Sequence, residues 1–288
     1  MTATETAGGF KPVHAAHAIE QVVVIIQFEQ PLTDASILQA TEALAQFDTI
    51  FPQTQDIRGV SFQVNEAGIV PISTSASVVP DGILRFLLGE RGVMLKQLQI
   101  ERQSLTFQTQ SYTRWDHVWA EALSYIAAIL PILENVSVMS FGLHYVDKFI
   151  WSGPLETCRP AALFRPDSPY LSARNMQSVD LWHCHSGQFQ AVSAEVKRLE
   201  VVNIDCIDEH EFGEHTTIQP QRIIRVATGV TDLFNQPGFE PYKVSAQVAL
   251  DTASQVFSAL HIELKRVLSE IISDETATQV GLYAHESQ

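Results

Sequence analysis

The chain has no unbroken apolar run of about 18 residues, so the sequence offers no membrane-spanning helix. It has three cysteines, Cys158, Cys184 and Cys206, and no C-x-x-C pair, which argues against a disulfide framework or a cysteine-rich zinc site. Basic residues are scarce: 18 Lys and Arg stand against 33 Asp and Glu, for a formal net charge of -15. A protein that neutralises phosphates over a broad face needs the opposite balance, so nucleic acid is disfavoured as a partner. The glycines are scattered, and none falls into G-x-x-x-x-G-K-[ST], G-x-G-x-x-G or G-x-S-x-G; H-E-x-x-H is missing too. Common phosphate cradles, nucleophile elbows and zinc-protease helices are excluded as motifs. The first residues lack the basic start and apolar stretch of a secretory signal, so the expected compartment is the cytosol.

What is present is a folding composition, 45% hydrophobic and 18% charged, too apolar for a disordered chain. The negative charge is spread evenly, with no acidic tail or basic arm, which favours solubility and would steer a basic partner. With 288 residues there is room for one large domain or two ordinary ones.

Residues 1–16 are small and polar and read as a flexible tail. Gln21 to Phe28 is a β-branched run that predicts a buried strand, and Thr33 caps a helix over 34–47. Residues 58–65 alternate apolar and polar, as do 92–101 and 104–109, the last two as a hairpin. Thr113-Arg-Trp-Asp116 has the form of a capping box before a wide apolar helical stripe. A long strand over 136–150 follows. The order is that of a split β-α-β sandwich, so residues 17–151 are expected to form a ferredoxin-like half.

Residues 152–178 hold Pro154, Pro160, Pro166 and Pro169 and read as a Pro-rich connection, either a linker or a partner-contacting segment. Residues 179–288 read as strands over 177–185, 188–194 and 199–208, a strand or the start of a helix over 223–232, then a helix over 244–273. That helix would be about 45 Å long. The expected fold class is α+β: a ferredoxin-like N-terminal half plus an antiparallel sheet packed on a long C-terminal helix.

Candidate chemistry concentrates in one strand. His183 and His185 in Trp182-His183-Cys184-His185 share a strand face and could chelate zinc or a similar metal. Asp205, Glu209, His210, Glu211, Glu214 and His215 could complete a site if the segments meet. The alternative is a polar strand edge and turn. His183, His185 and His210 are the candidates for metal binding or catalysis, and Cys184 with His183, His144 or His210 as base is a second arrangement. A strand cysteine is more often a small buried hydrophobe. Trp115 and Trp119 lie four apart on an apolar helix face and read as core, as does His261 beside Leu260 and Leu264. Trp151, Arg159 and Arg165 border or lie in the connection and are the candidate partner-binding residues. Arg102, Arg114, Lys148 and Arg174 could add to a local basic patch there. A sheet of this kind invites an RNA-binding reading, but the stacking aromatics are missing from the strands and the charge has the wrong sign.

Several segments together resemble a sporadically distributed family of uncharacterised bacterial proteins. They are Ile26-Gln-Phe-Glu-Gln-Pro-Leu32, the helix beginning near Trp115, Phe141-Gly-Leu-His-Tyr-Val146, Leu260-His-Ile-Glu-Leu-Lys265 and Ile272-Ser-Asp274. The resemblance covers roughly residues 18 to 280. Lys148 departs from it, and the His183-Cys184-His185 strand is not part of it. The family carries no assigned activity, so the resemblance implies no catalytic residues; its patchy distribution implies an accessory, defence or mobile-element role.

The expectation is a cytosolic, non-catalytic binding or regulatory component with a protein partner or a homo-oligomeric state, and with no cofactor. The alternative is a metal- or His-dependent hydrolase or nuclease with its site in the second half.

Overall fold

The computed structural model describes residues 8–58, 62–65, 68–71, 79–133, 136–209, 220–240 and 242–283. The elements of the first half are β1 (Phe10–Pro12), β2 (Ile19–Phe28), α1 (Asp34–Leu44), β3 (Gln53–Ile57), β4 (Phe62–Asn65), β5 (Gly68–Pro71), β6 (Gly82–Leu88), β7 (Met94–Glu101), β8 (Ser104–Thr109), α2 (Trp115–Ile129) and β9 (Ser137–Trp151). Those of the second are α3 (Ala173–Gln177), β10 (Trp182–Ala191), β11 (Lys197–Glu209), β12 (Gln221–Leu233), β13 (Val244–Ser245), α4 (Ala246–Ser269) and α5 (Asp274–Gln279). The protein is α+β.

The strands join one 11-stranded antiparallel sheet in the order β10-β11-β12-β9-β2-β8-β7-β6-β3, with β1 and β13 paired to β9; β4 and β5 form a separate hairpin. Strands from both halves are therefore hydrogen-bonded into one sheet, through the β12–β9 ladder. Every second residue of β2 is buried, Val22, Val24, Ile26 and Phe28, because alternate side chains point to one face. The helices cover that face. Ile37 and Leu44 of α1, Val118 and Ile126 of α2, and Phe257 and Leu260 of α4 close a first core over β2, β8 and the first half of β9. Among the described residues no helix covers the opposite face.

A second core lies under β9, β11 and β12, built from Phe149, Val202, Ile204, Cys206, Ile224 and Val226. The residues that read as a connection pack into it. Leu163, Phe164, Tyr170 and Leu171 are buried there against Val267, Leu268 and Ile271 at the end of α4. Phe164 bridges Ile272, and Ser273 N–H donates to the Leu163 carbonyl at 2.9 Å. The segment's one α-helix, α3, comes after the last of its prolines, and its apolar residues are too many to stay in water, so it is a packed strap and not a linker.

Helix α4 docks on the sheet by charge as well as by apolar contact. Arg198 of β11 makes two hydrogen bonds to Asp232 of β12, at 2.6 and 2.9 Å, both residues buried, and reaches Glu263 of α4 at 3.9 Å. The Glu200 carboxylate accepts from Arg266 of α4 at 2.7 Å and from the Tyr170 hydroxyl at 2.7 Å.

Three local expectations change. The N-cap of α2 is Arg114 and carries no side-chain cap; the helix starts one residue later than a capping box requires, and Thr113 instead reaches His117 at 3.2 Å. The last long helix is 24 residues, not about 30, because Ser245 caps it and the chain turns after Ser269 before α5. The region around 177–194 is one short helix and one long strand, not two strands. At the first helix, Thr33 caps as expected by accepting from Ser36 N–H.

Candidate functional site

The histidine-rich strand is the sheet's edge. His183 and His185 are exposed on the helix-free face of β10, and His183 Nδ1 lies 2.7 Å from Asp205 of β11. His210 lies outside the described residues, as do Glu211, Glu214 and His215. Among the described residues no three His, Cys, Asp or Glu side chains gather around a metal-sized point. Cys184 faces the other way from its neighbours and donates to the Tyr170 carbonyl at 3.3 Å, so His183 cannot serve as its base from the adjacent position. His144 is on β9, with two strands between it and β10. Burial raises the Cys184 thiol and pushes that of Cys158 up to about 11, the reverse of an activated nucleophile.

The partner-binding candidates are engaged within the chain. Trp151 is buried rather than partner-facing; its ring packs on Phe10 and its indole N–H donates to the Pro154 carbonyl at 3.0 Å. Arg159 donates to the Cys158 carbonyl at 2.8 Å, and Arg165 pairs with Asp274 at 2.8 Å.

The sequence reading missed the place where the chemistry gathers. Along β9, alternate residues Leu143, Tyr145, Asp147, Phe149 and Trp151 face the helices. Tyr145 belongs to the first core and Phe149 to the second, and Asp147 falls between them. The neighbouring strand repeats the pattern: Val230 is in the first core, Val226 in the second, and Thr228 lies between. The β-ladder pairs Asp147 with Val226 and Thr228 with Tyr145, so these side chains are neighbours on one face. A polar seam separates the two cores.

A pocket of about 360 Å³ opens along this seam. Its floor includes Asp147, Thr228 and Tyr145; its walls come from α2 (Trp115), α4 (His261, Leu264, Lys265, Leu268), residues 16–19 and residues 280–282. Trp115 stacks on the His261 ring with centroids 4.7 Å apart, and the Tyr145 hydroxyl shares a 2.8 Å hydrogen bond with His261 Nδ1.

Both Asp147 carboxylate oxygens are buried with no hydrogen-bond partner in the protein, and the Thr228 hydroxyl is in the same state. Burial pushes the Asp147 carboxyl up to about 7. The His17 pKa is lowered by burial and then by the neighbouring His14. Leaving a buried carboxylate unsatisfied costs folding free energy, so a fold that keeps one in a pocket points to a ligand. One signal in the sequence marked it: an aspartate on the inward register of a strand that is otherwise apolar at that register.

No protein-family model matches the chain, and no curated protein matches it.

Proposed function

We propose that the chain is a non-catalytic binding component whose seam pocket is the receptor site for a small polar molecule. The observation that carries this reading is the unpartnered Asp147 carboxylate, buried beside the unpartnered Thr228 hydroxyl in a pocket of about 360 Å³. That volume is at the small end of the range for small-molecule sites. The pocket lies where three elements meet, α2, α4 and the sheet, so an occupant would tie the two cores together and report its presence as stability. A receptor of this kind suits an accessory or regulatory component.

Supporting the non-catalytic side, the cysteine thiols are held protonated by burial, and His261 is tied to Tyr145. The strand order β9-β2-β8-β7 with α1 and α2 on one face supports a ferredoxin-like description of the first half, extended at one edge by β6 and β3. Membership of the sporadically distributed bacterial family is part of the same proposal, and three free thiols suit a cytosolic setting.

The test is release and rebinding. Protein purified without harsh washing is denatured, and the freed small molecules are identified by mass spectrometry. A stoichiometric molecule that rebinds and raises the melting temperature supports the proposal. A protein that releases nothing and whose melting temperature no member of a broad metabolite set raises overturns it. The hydrolase alternative would instead show bound metal that His183→Ala removes.

A further inference from the structure

Resting on the binding-component reading, we infer that the seam pocket takes a small zwitterion, with its ammonium group on Asp147 and Thr228 and its anionic group at the start of α2 between Arg114 and Lys265.

The floor selects the ammonium. An ionised carboxylate only accepts hydrogen bonds, and Asp147 has two oxygens to fill. An ammonium offers three donors and the opposite charge, and Thr228 Oγ1 adds a third acceptor beside them. An uncharged donor would satisfy the geometry but would leave the charge unmatched in a buried place.

The wall selects the anion. Helix α2 begins at Trp115 without a side-chain cap, so the N–H groups of its first turn have no partner within the helix. Thr113, Arg114, Trp115 and Asp116 of this start all line the pocket. Arg114 and Lys265 line it too, and among the described residues neither makes an ion pair. Free N–H groups, the positive end of a helix and two uncommitted cations form an anion site. Asp116 is exposed in the same turn and offsets part of that charge. What makes this more than a helix end is Asp147, which is 1% exposed and lines the same pocket.

The two ends exclude each other's simple ligands. A lone amine would meet Arg114 and Lys265, and a lone anion would meet Asp147, so the pocket rejects each half by repulsion. Between them the wall is Trp115, Ile19, Leu264 and Leu268, which suits a short carbon frame joining the two charges.

The experiment is calorimetric titration of the whole chain at pH 8 with the twenty L-amino acids and phosphoethanolamine. Ethanolamine and short alkylamines serve as amine-only controls, and acetate and inorganic phosphate as anion-only controls. The expected result is that at least one zwitterion binds and that its amine and its acid alone bind at least about tenfold more weakly. Asp147→Asn and the double variant Arg114→Gln/Lys265→Gln should each weaken the zwitterion about tenfold or more, with the melting transition retained. Equal binding of the anion alone to wild type and to Asp147→Asn overturns the inference. So does a panel in which nothing binds. If nothing in the panel binds but a different small molecule is released from purified protein, the zwitterion assignment falls and the receptor reading stands. If no small molecule is released and none from a broad set binds, both fall.

Discussion

The Tyr145 hydroxyl and His261 Nδ1 lie 2.8 Å apart and join the middle of the sheet to the C-terminal helix at the border of the two cores. Both residues are buried, and Trp115 stacks on the face of the imidazole. Removing either member breaks this bond while the other stays buried, so the loss from removing both should fall short of the sum of the single losses. His261→Leu should therefore lower the unfolding free energy by about 1–3 kcal/mol, and Tyr145→Phe on that background should add less than it does alone. Urea unfolding of the four proteins in a double-mutant cycle measures the coupling. A coupling near zero would mean that the pair is not a working contact.

Charge docking of α4 gives a second expectation. Arg198 and Asp232 are 8% and 7% exposed and form a paired hydrogen bond, so Asp232→Ala leaves the buried guanidinium facing Glu263 of α4 at 3.9 Å in place of two hydrogen bonds. The expected loss is about 3 kcal/mol and insensitive to salt. Asp274→Ala, which breaks the exposed pair with Arg165, should leave the denaturation midpoint close to wild type. Denaturation in low and high sodium chloride separates the two cases.

Much of the fold was legible from residue pattern, because β2, β9, β11 and β12 bury every second side chain and α2 and α4 carry broad apolar stripes. Strand β6 was not, since Gly82 to Leu88 is a nearly unbroken apolar run and periodicity cannot separate strand from helix there. The strap over 152–178 misled because its prolines signal loop while Leu163, Phe164, Tyr170 and Leu171 decide where that loop goes. Proline content is local; burial is a matter of what lies opposite. The pocket was half legible. Asp147 on the inward register is visible in the sequence, but its neighbours Trp115, Thr228 and His261 come from elements far apart in the chain, and only the fold brings them together.

The thiols should be slow. Burial is the first cause of the raised pKa of Cys158, Cys184 and Cys206, with Cys158 at about 11. A raised pKa lowers the thiolate fraction at pH 8, and Cys158 and Cys206 are also closed to reagent. Native protein mixed with an aromatic disulfide reagent should show slow, incomplete release of chromophore, and protein in strong denaturant should show three equivalents at once. A fast equivalent in the native state, lost in Cys184→Ser, would restore the nucleophile reading for that strand.

Metal removal separates the receptor from the hydrolase. His183 is held by Asp205 and His185 lies exposed beside it on the edge strand. Two histidines alone make a weak site. Chelator should leave the melting temperature unchanged, and added zinc should not raise it. A zinc-dependent rise abolished by His183→Ala would show that His210 or its neighbours complete a site.

Asp147 gives the sharpest pH expectation. Burial pushes its carboxyl up from 3.8 to about 7 in the folded protein. The other titratable and charged groups lining its pocket are His17, Tyr112, Arg114, Asp116, Tyr145, His261 and Lys265. An acid with a raised folded pKa holds its proton in the native state while the unfolded chain has already released it. Between about pH 4 and 7 the native state therefore binds more protons, and stability falls as pH rises through that window. Above pH 7 the charge is present in both states and the native state bears the full cost, on the order of 4 kcal/mol. Asp147→Asn keeps the shape and cannot ionise, so it should be more stable than wild type at pH 8 and close to it at pH 4. The order reverses for ligand: the carboxylate that destabilises the empty protein is the one that holds an ammonium, so wild-type affinity should rise with pH up to about 7 and level off, while the variant's stays flat. Urea unfolding across pH, paired with titration of a zwitterion, reads both curves. A wild-type stability profile that does not fall relative to Asp147→Asn between pH 4 and 8 would show that this carboxyl is satisfied in solution and is not waiting for a partner.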